Sequence, residues 1–376
     1  MKKGDRKRLI TAVSIMVGTA IGAGVLGIPY VAAQAGFWAV AGYIVILGAI
    51  ILSINLYLGE VVLRTKGHHQ IPGYALRYLG KKGMVLMEFA MVFGIYSGIV
   101  AYMLGMGESM SFLFFGNSQY TTIFGILVGF IMSYLLWRGI SALKKYEKMG
   151  VAIILLLLLA ILVIFAKDVS FANLSYINTA NIFLPFGVVL FALLSFASIP
   201  EIEQVLNKNE KLMKKTIILG TLIPVVFYII FAFVVLGFMG TETPEIATLA
   251  LGPFFILLGI FTMFTSYLAS GNALEDNFKF DERMKKKRAW FLTSIIPIGI
   301  FLLIRYFDYF SFTRILSIGG VVSGGLTAIL ILVMAKRARK RGNRKPEYTV
   351  PINWIIIGIL SLIFIFGVLK ELIGMF

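Results

Sequence analysis

Four glycines and a proline fall within twelve residues, Gly18-Thr19-Ala20-Ile21-Gly22-Ala23-Gly24-Val25-Leu26-Gly27-Ile28-Pro29, and these lie inside an apolar run. Glycine holds a helix weakly because it loses the most backbone freedom on folding, and proline has no N–H to donate. The pattern predicts an interrupted helix. In hydrocarbon the N–H and C=O groups freed by an interruption must line a cavity or be buried in protein. At this break Ala23, Gly24 and Val25 open one half-helix, and their amides at the positive end of its dipole suit a carboxylate. The carbonyls near Gly18, Thr19 and Ile21 close the other half and suit an ammonium group or a cation. A small zwitterion such as an α-amino acid, seated about Gly22, matches both ends at once.

A second interruption is expected in Phe191-Ala192-Leu193-Leu194-Ser195-Phe196-Ala197-Ser198-Ile199-Pro200-Glu201-Ile202. Ser198 has the form of a helix N-cap, with Glu201 three residues on as its capping-box partner and Pro200 in the first turn. The apolar sequence before it is already helix-length from Ile182, so two short helices joined near Leu194 to Ala197 are expected. Phe191, Phe196 and Phe264 are candidates for an apolar wall, with Ala192 and Ser195 beside them. Tyr96 either offers its phenol to a bound carboxylate or packs between helices. In Gly259-Ile260-Phe261-Thr262-Met263-Phe264-Thr265-Ser266, the hydroxyls of Thr265 and Ser266 and the carbonyl of Thr262 supply three oxygens for a hard cation such as Na⁺. The Gly18 and Ile21 carbonyls would add two. The same hydroxyls can instead bond back to the preceding turn. A proton-driven alternative needs a carboxyl at depth, for which Glu60, Glu108 and Glu201 are the candidates.

The elements that must position these residues follow from composition. A 376-residue chain with 59% hydrophobic and 14% charged residues and a mean hydropathy of +0.91 is that of an all-α polytopic membrane protein. Apolar spans long enough to cross a bilayer recur at 9–37, 39–63, 83–113, 120–137, 149–166, 182–206, 216–239, 250–276, 290–306, 312–335 and 352–371. With the N-terminus placed in the cytoplasm, 31 of the 35 Lys and Arg residues fall in inward segments, as the positive-inside rule requires. The formal charge of +17 is thereby explained without nucleic acid, and a C-terminus outside follows. The basic start Lys2 to Arg8 reads as a cytoplasmic segment rather than a cleaved leader. The chain has no cysteine and two histidines, which excludes disulfides and thiolate chemistry and disfavours zinc. Neither a phosphate-cradling loop nor a depth-matched catalytic triad is present, so no enzyme activity and no cofactor are expected.

The first interruption opens the first span and the second opens the sixth. Sets of five spans enter from opposite sides, which is the inverted-repeat arrangement of secondary transporters. The expected organisation is a cytoplasmic segment 1–8, a first five-helix repeat 9–166, a second 182–335, and an additional eleventh span 352–371.

Gly18-Thr19-x-Ile21-Gly22-Ala23-Gly24-x-Leu26-x-x-Pro29 resembles the first-helix signature of the amino acid/auxin permease group and its bacterial aromatic and hydroxy amino acid permease branch. Phe191-Ala192 with Ile199-Pro200-Glu201-Ile202 is similar to that group's sixth-helix pattern, and Pro72-Gly73-Tyr74-Ala75-Leu76-Arg77-Tyr78-Leu79-Gly80-Lys81-Lys82-Gly83 to its loop between the second and third spans. Ser195-Phe196-Ala197 departs from the Gly-His-Pro type triplet many members carry. The resemblance implies a LeuT-type fold with broken helices 1 and 6, and amino acid transport coupled to Na⁺ or H⁺. It likens the Gly18, Ile21, Thr262, Thr265 and Ser266 set to the second sodium site of that fold. Proton-coupled members place a lysine of the fifth span there, and Val151 to Phe165 contains no ionisable residue, which favours Na⁺. The leading expectation is symport of neutral or aromatic amino acids across the plasma membrane. A non-transporting sensor on the same fold, and a channel, are the alternatives.

Overall fold

The structure is a computed structural model that describes residues 3–139, 156, 159–206, 209–281, 284–308 and 310–373. The described residues are helical and contain no strand, as the hydrocarbon requires of a chain that must satisfy every backbone polar group internally. The helices are α1 (Lys3–Ala20), α2 (Gly24–Ala35), α3 (Phe37–Leu63), α4 (Ile71–Leu79), α5 (Lys81–Phe115), α6 (Thr121–Arg138), α7 (Pro185–Leu193), α8 (Ser198–Val205), α9 (Met213–Met239), α10 (Pro253–Asp276), α11 (Lys286–Phe307), α12 (Phe312–Gly319), α13 (Gly325–Arg341) and α14 (Trp354–Ile373). Five-residue π-helical segments follow α10 and join α12 to α13.

Among the described residues nine helical stretches are long and apolar enough to cross a bilayer, and the bent pair α1 and α2 makes a tenth. Half of the expected span at 149–166 lies outside the described residues. Helices α1, α2, α3, α7, α8 and α9 pack on one another, and α5, α6, α10 and α11 form a second group. The α12–α13 rod touches both, against α7 and α3 on one side and α5 on the other. Helix α14 lies at the periphery against α13.

One end of the bundle gathers the basic segments. Glu60, 1% exposed near the end of α3, accepts from Arg64 Nε at 2.9 Å and from Arg339 Nε and Nη2 at 3.1 Å each. The Val350 amide donates to the same carboxylate at 2.9 Å. The amides of Asn343 and Arg344 donate to the Arg64 carbonyl at 3.0 and 3.2 Å, and the Arg344 guanidinium pairs with Glu210. Hydrogen bonding to Glu210 foremost, with Glu347 beside it, holds the Arg344 guanidinium above its usual range. The segment joining α13 to α14 is thus strapped across the ends of α3 and α9. At the opposite end Asn178 N–H donates to the Ala35 carbonyl, Ser170 N–H to Gly237, and Thr313 N–H to Glu245.

Candidate solute site at the two helix interruptions

Helix α1 stops at Ala20 and α2 starts at Gly24, with the two axes bent by 52°. Ile21 N–H still reaches Val17 at 2.8 Å, but Gly22 N–H turns back to Ala20 and Leu26 N–H to Ala23. Ala23, Gly24 and Val25 occupy the start of α2, where helical geometry leaves amides without an intrahelical acceptor. Glycine lets the chain turn here, and little room is left beside the backbone. A Cβ on Gly22 would stand 3.2 Å from the hydroxyls of both Tyr102 and Ser266, and one on Gly24 would stand 2.7 Å from Ala192 Cα.

Helix α7 stops at Leu193, Leu194 is extended (φ −65°, ψ 118°), and α8 starts at Ser198. Unlike α1 and α2, the pair still reads as one 21-residue span, Pro185–Val205. The expected capping box is not formed, and this corrects the sequence reading. The N-cap is Ala197, the Ser198 hydroxyl donates to the Ser195 carbonyl at 2.7 Å, and Glu201 is exposed. The physical reason lies in the linker itself. The Ser198 amide, which Glu201 would bond in a capping box, already donates to the Ser195 carbonyl, and the Ser198 hydroxyl turns to the same carbonyl.

Both interruptions meet through Tyr228 of α9, which is fully buried. Its hydroxyl lies 2.8 Å from the Ala20 carbonyl and 2.9 Å from the Ala192 carbonyl, so one proton is shared between the last turns of α1 and α7. Asn55 of α3 steadies the second linker, donating from Nδ2 to Ser195 Oγ at 3.1 Å and to Thr221 Oγ1 at 3.4 Å. Sequence reading missed both residues. A lone polar side chain in an apolar run was the available signal for Asn55; nothing local marks Tyr228 among 16 tyrosines.

A cavity of about 160 Å³ lies where the interruptions face α5, α10 and the π-helical segment. Thr19, Gly22 and Gly24 line it from the first break, and Phe191 and Phe196 from the second. The hydroxyls come from Thr19, Tyr102, Ser270, Ser323 and Thr327, and no charged side chain is among the lining residues. Tyr102 is placed to hydrogen-bond Ser266 and Ser270. Thr19 and Ala197 of its lining are exposed, and Ile71, next to the basic segment that follows α3, also borders it. Toward the opposite end it is sealed by Gly24 on Ala192 and by Gly27, whose Cβ would stand 3.3 Å from Val188 and 3.2 Å from Thr313.

The other sequence-expected residues are distributed as follows. Ile21, Ala23, Val25, Ala192 and Ser195 are buried behind the cavity wall, and Gly18 is half-buried on α1. Tyr96 is not among the residues lining this cavity. Its hydroxyl donates to the Leu292 carbonyl at 2.8 Å, and its ring borders a separate apolar space with Phe93 and Ile300. Tyr102 faces the break instead. Six residues further along α5 means a rise of about 9 Å and a rotation of roughly 240°, which a reading by depth alone does not resolve. In α10 the Thr262 hydroxyl donates to Leu258 and the Thr265 hydroxyl to the Thr262 carbonyl at 3.0 Å, while Ser266 stands beside Gly22. Phe264 is half-buried on the same helix. No cluster of three or more His, Cys, Asp or Glu able to hold a metal occurs among the described residues.

Apolar spanning helices around an uncharged cavity at two helix interruptions define a multi-pass membrane protein with a solute-sized space at its centre. The chain belongs to the tryptophan/tyrosine permease family, whose model matches residues 5–252. It is 26% identical over 353 residues to glutamine transporter 2 of Aliivibrio fischeri, covering 89% of this chain and 90% of that protein. It is 25% identical over 221 residues to tyrosine-specific transport system 1 of Haemophilus influenzae, covering 57% and 54%. Over 272 residues it is 26% identical to an Arabidopsis thaliana amino acid transporter, covering 66% and 60%. By family this chain is an amino acid transporter.

Proposed function

We propose that this chain is a secondary active transporter that carries neutral L-amino acids across the plasma membrane by alternating access, in symport with Na⁺ rather than H⁺. The observation that carries the reading is the convergence of both helix interruptions on one uncharged cavity. The amides opening α2 bind the substrate carboxylate, the carbonyls closing α1 bind its ammonium, and Tyr102 with Phe191 and Phe196 encloses its side chain. The Ser266 hydroxyl beside Gly22, with Thr262, Thr265 and the carbonyls of Gly18 and Ile21, forms the Na⁺ site.

The fold in this reading is of LeuT type. Residues 9–166 and 182–335 form inverted five-helix repeats, and 352–371 form an added helix. The basic end is cytoplasmic, so the N-terminus lies inside and the C-terminus outside. The separate packing of α1, α2, α3, α7, α8 and α9 from α5, α6, α10 and α11 supports rocking of one group against the other, with the cavity caught open toward the cytoplasm. Opening at the far end also requires α2 to part from α7 at the Gly24–Ala192 contact. Uptake of a labelled amino acid mixture into proteoliposomes, under separately imposed Na⁺ and H⁺ gradients, tests the proposal. Accumulation driven by Na⁺ is expected, and no accumulation under either gradient overturns symport.

A further inference from the structure

A second cavity, of about 460 Å³, lies at the end of the bundle opposite the basic face, between α2, α7, α12 and α14. The close approaches of Gly24 to Ala192 and Gly27 to Val188 separate it from the central cavity. Its charged lining is balanced, with Glu245 and Glu371 against Arg314 and Lys370. Both carboxylates are held in place by neutral donors. Glu371 Oε2 accepts from the Ser317 hydroxyl at 2.8 Å, and Glu245 Oε2 accepts from the Thr313 amide in the first turn of α12 at 2.9 Å. The Lys370 ammonium sits 5.0 Å from the centre of the Phe183 ring.

A site with two charges of each sign has no net preference for a simple anion or a simple cation and complements a ligand that carries both. Its border is apolar and bare. Phe183, Phe366 and Ile373 are 44%, 50% and 68% exposed, and they continue the uncovered flank of α14. A charged floor beside a lipid-facing rim fits an amphiphile, whereas a free amino acid would leave the rim uncovered. We propose that this cavity binds the head of an aminophospholipid. Its ammonium lies against Glu245 and Glu371, its phosphate against Arg314 and Lys370, and its acyl chains over Phe183, Phe366 and Ile373. The lipid wedges the peripheral helix α14 against α7 and α12.

The test is native mass spectrometry of the purified chain titrated with phosphatidylethanolamine or phosphatidylcholine, whose quaternary ammonium donates no hydrogen bond. Several-fold stronger retention of phosphatidylethanolamine is expected, and it falls to the phosphatidylcholine level in Glu245→Gln and Glu371→Gln. The carboxamide keeps an acceptor for Thr313 and Ser317, so the melting temperature reports whether either variant has lost its fold. In that event Lys370→Gln, at the exposed end of α14, is expected to weaken retention of both lipids, which share the phosphate, and retention of both at the unsubstituted level overturns the proposal. Leu362→Ala, elsewhere on α14, retains the preference. Equal retention of the two lipids, or a preference unchanged in the carboxamide variants, overturns the proposal. So does displacement of the lipid by a free neutral amino acid at an affinity that Glu371→Gln abolishes, which assigns the cavity to a soluble zwitterion.

Discussion

Replacing Gly24 with alanine tests the seal between the central cavity and the end opposite the basic face. The new Cβ would stand 2.7 Å from Ala192 Cα and 2.8 Å from Ala192 Cβ, against an optimum of about 3.5–4.0 Å between carbon atoms. Ala192 belongs to the backbone of α7 and has no rotamer to yield, so α2 must retreat by about 1 Å. Overpacking of this size costs about 1–3 kcal/mol. If the sealed state alone bears that cost, the ratio of opened to sealed molecules rises roughly 5- to 150-fold. The chain contains no cysteine, so Ser270→Cys places a single thiol in the central cavity. A membrane-impermeant thiol reagent is then applied from outside to intact cells, with and without Gly24→Ala. The expected result is faster labelling in the alanine variant by a factor in that range, together with impaired uptake. Unchanged labelling in a folded, membrane-inserted variant refutes the inference that this contact is the seal.

Tyr228→Phe removes the donor shared by the Ala20 and Ala192 carbonyls. It should cost about 1–3 kcal/mol, seen as a lower melting temperature in detergent with a matching loss of transport. Tyr102→Phe should raise the KM for uptake several-fold, whereas Tyr96→Phe should leave KM unchanged; the reverse pattern would restore Tyr96 to the site. Glu60→Gln leaves Arg64 and Arg339 without their carboxylate. Because both guanidiniums are partly exposed, the cost should be on the order of 2 kcal/mol rather than the full penalty for a buried pair, read by thermal unfolding. Thr265→Val combined with Ser266→Ala should abolish stimulation by Na⁺, and stimulation that persists rejects the proposed ion site.

Much of this was legible in residue order, because a bilayer imposes one-dimensional constraints. Length and hydropathy marked the spans, since a helix that crosses hydrocarbon needs about 20 apolar residues. The glycines from Gly18 to Gly27 marked the turn between α1 and α2, because backbone that cannot hold a helix declares itself locally. The interval from Leu194 to Ala197 was legible because a helix start was signalled at Ser198 after an apolar run already helix-length from Ile182. Which side chains face the cavity was not local information. Depth along α5 suggested Tyr96, but helical rotation and the packing of α11 turned its phenol to Leu292 and left Tyr102 at the break. Ser198 carried a capping signal, but its hydroxyl turned back to the Ser195 carbonyl, which also took the Ser198 amide that Glu201 would have bonded. Tyr228 and Asn55 matter only because α9 and α3 pack against both interruptions. The sequence alone therefore determined where the chain must weaken inside the membrane. The tertiary structure decided which hydroxyls, rings and carbonyls meet there, because that meeting depends on the rotation and contact of helices distant in sequence.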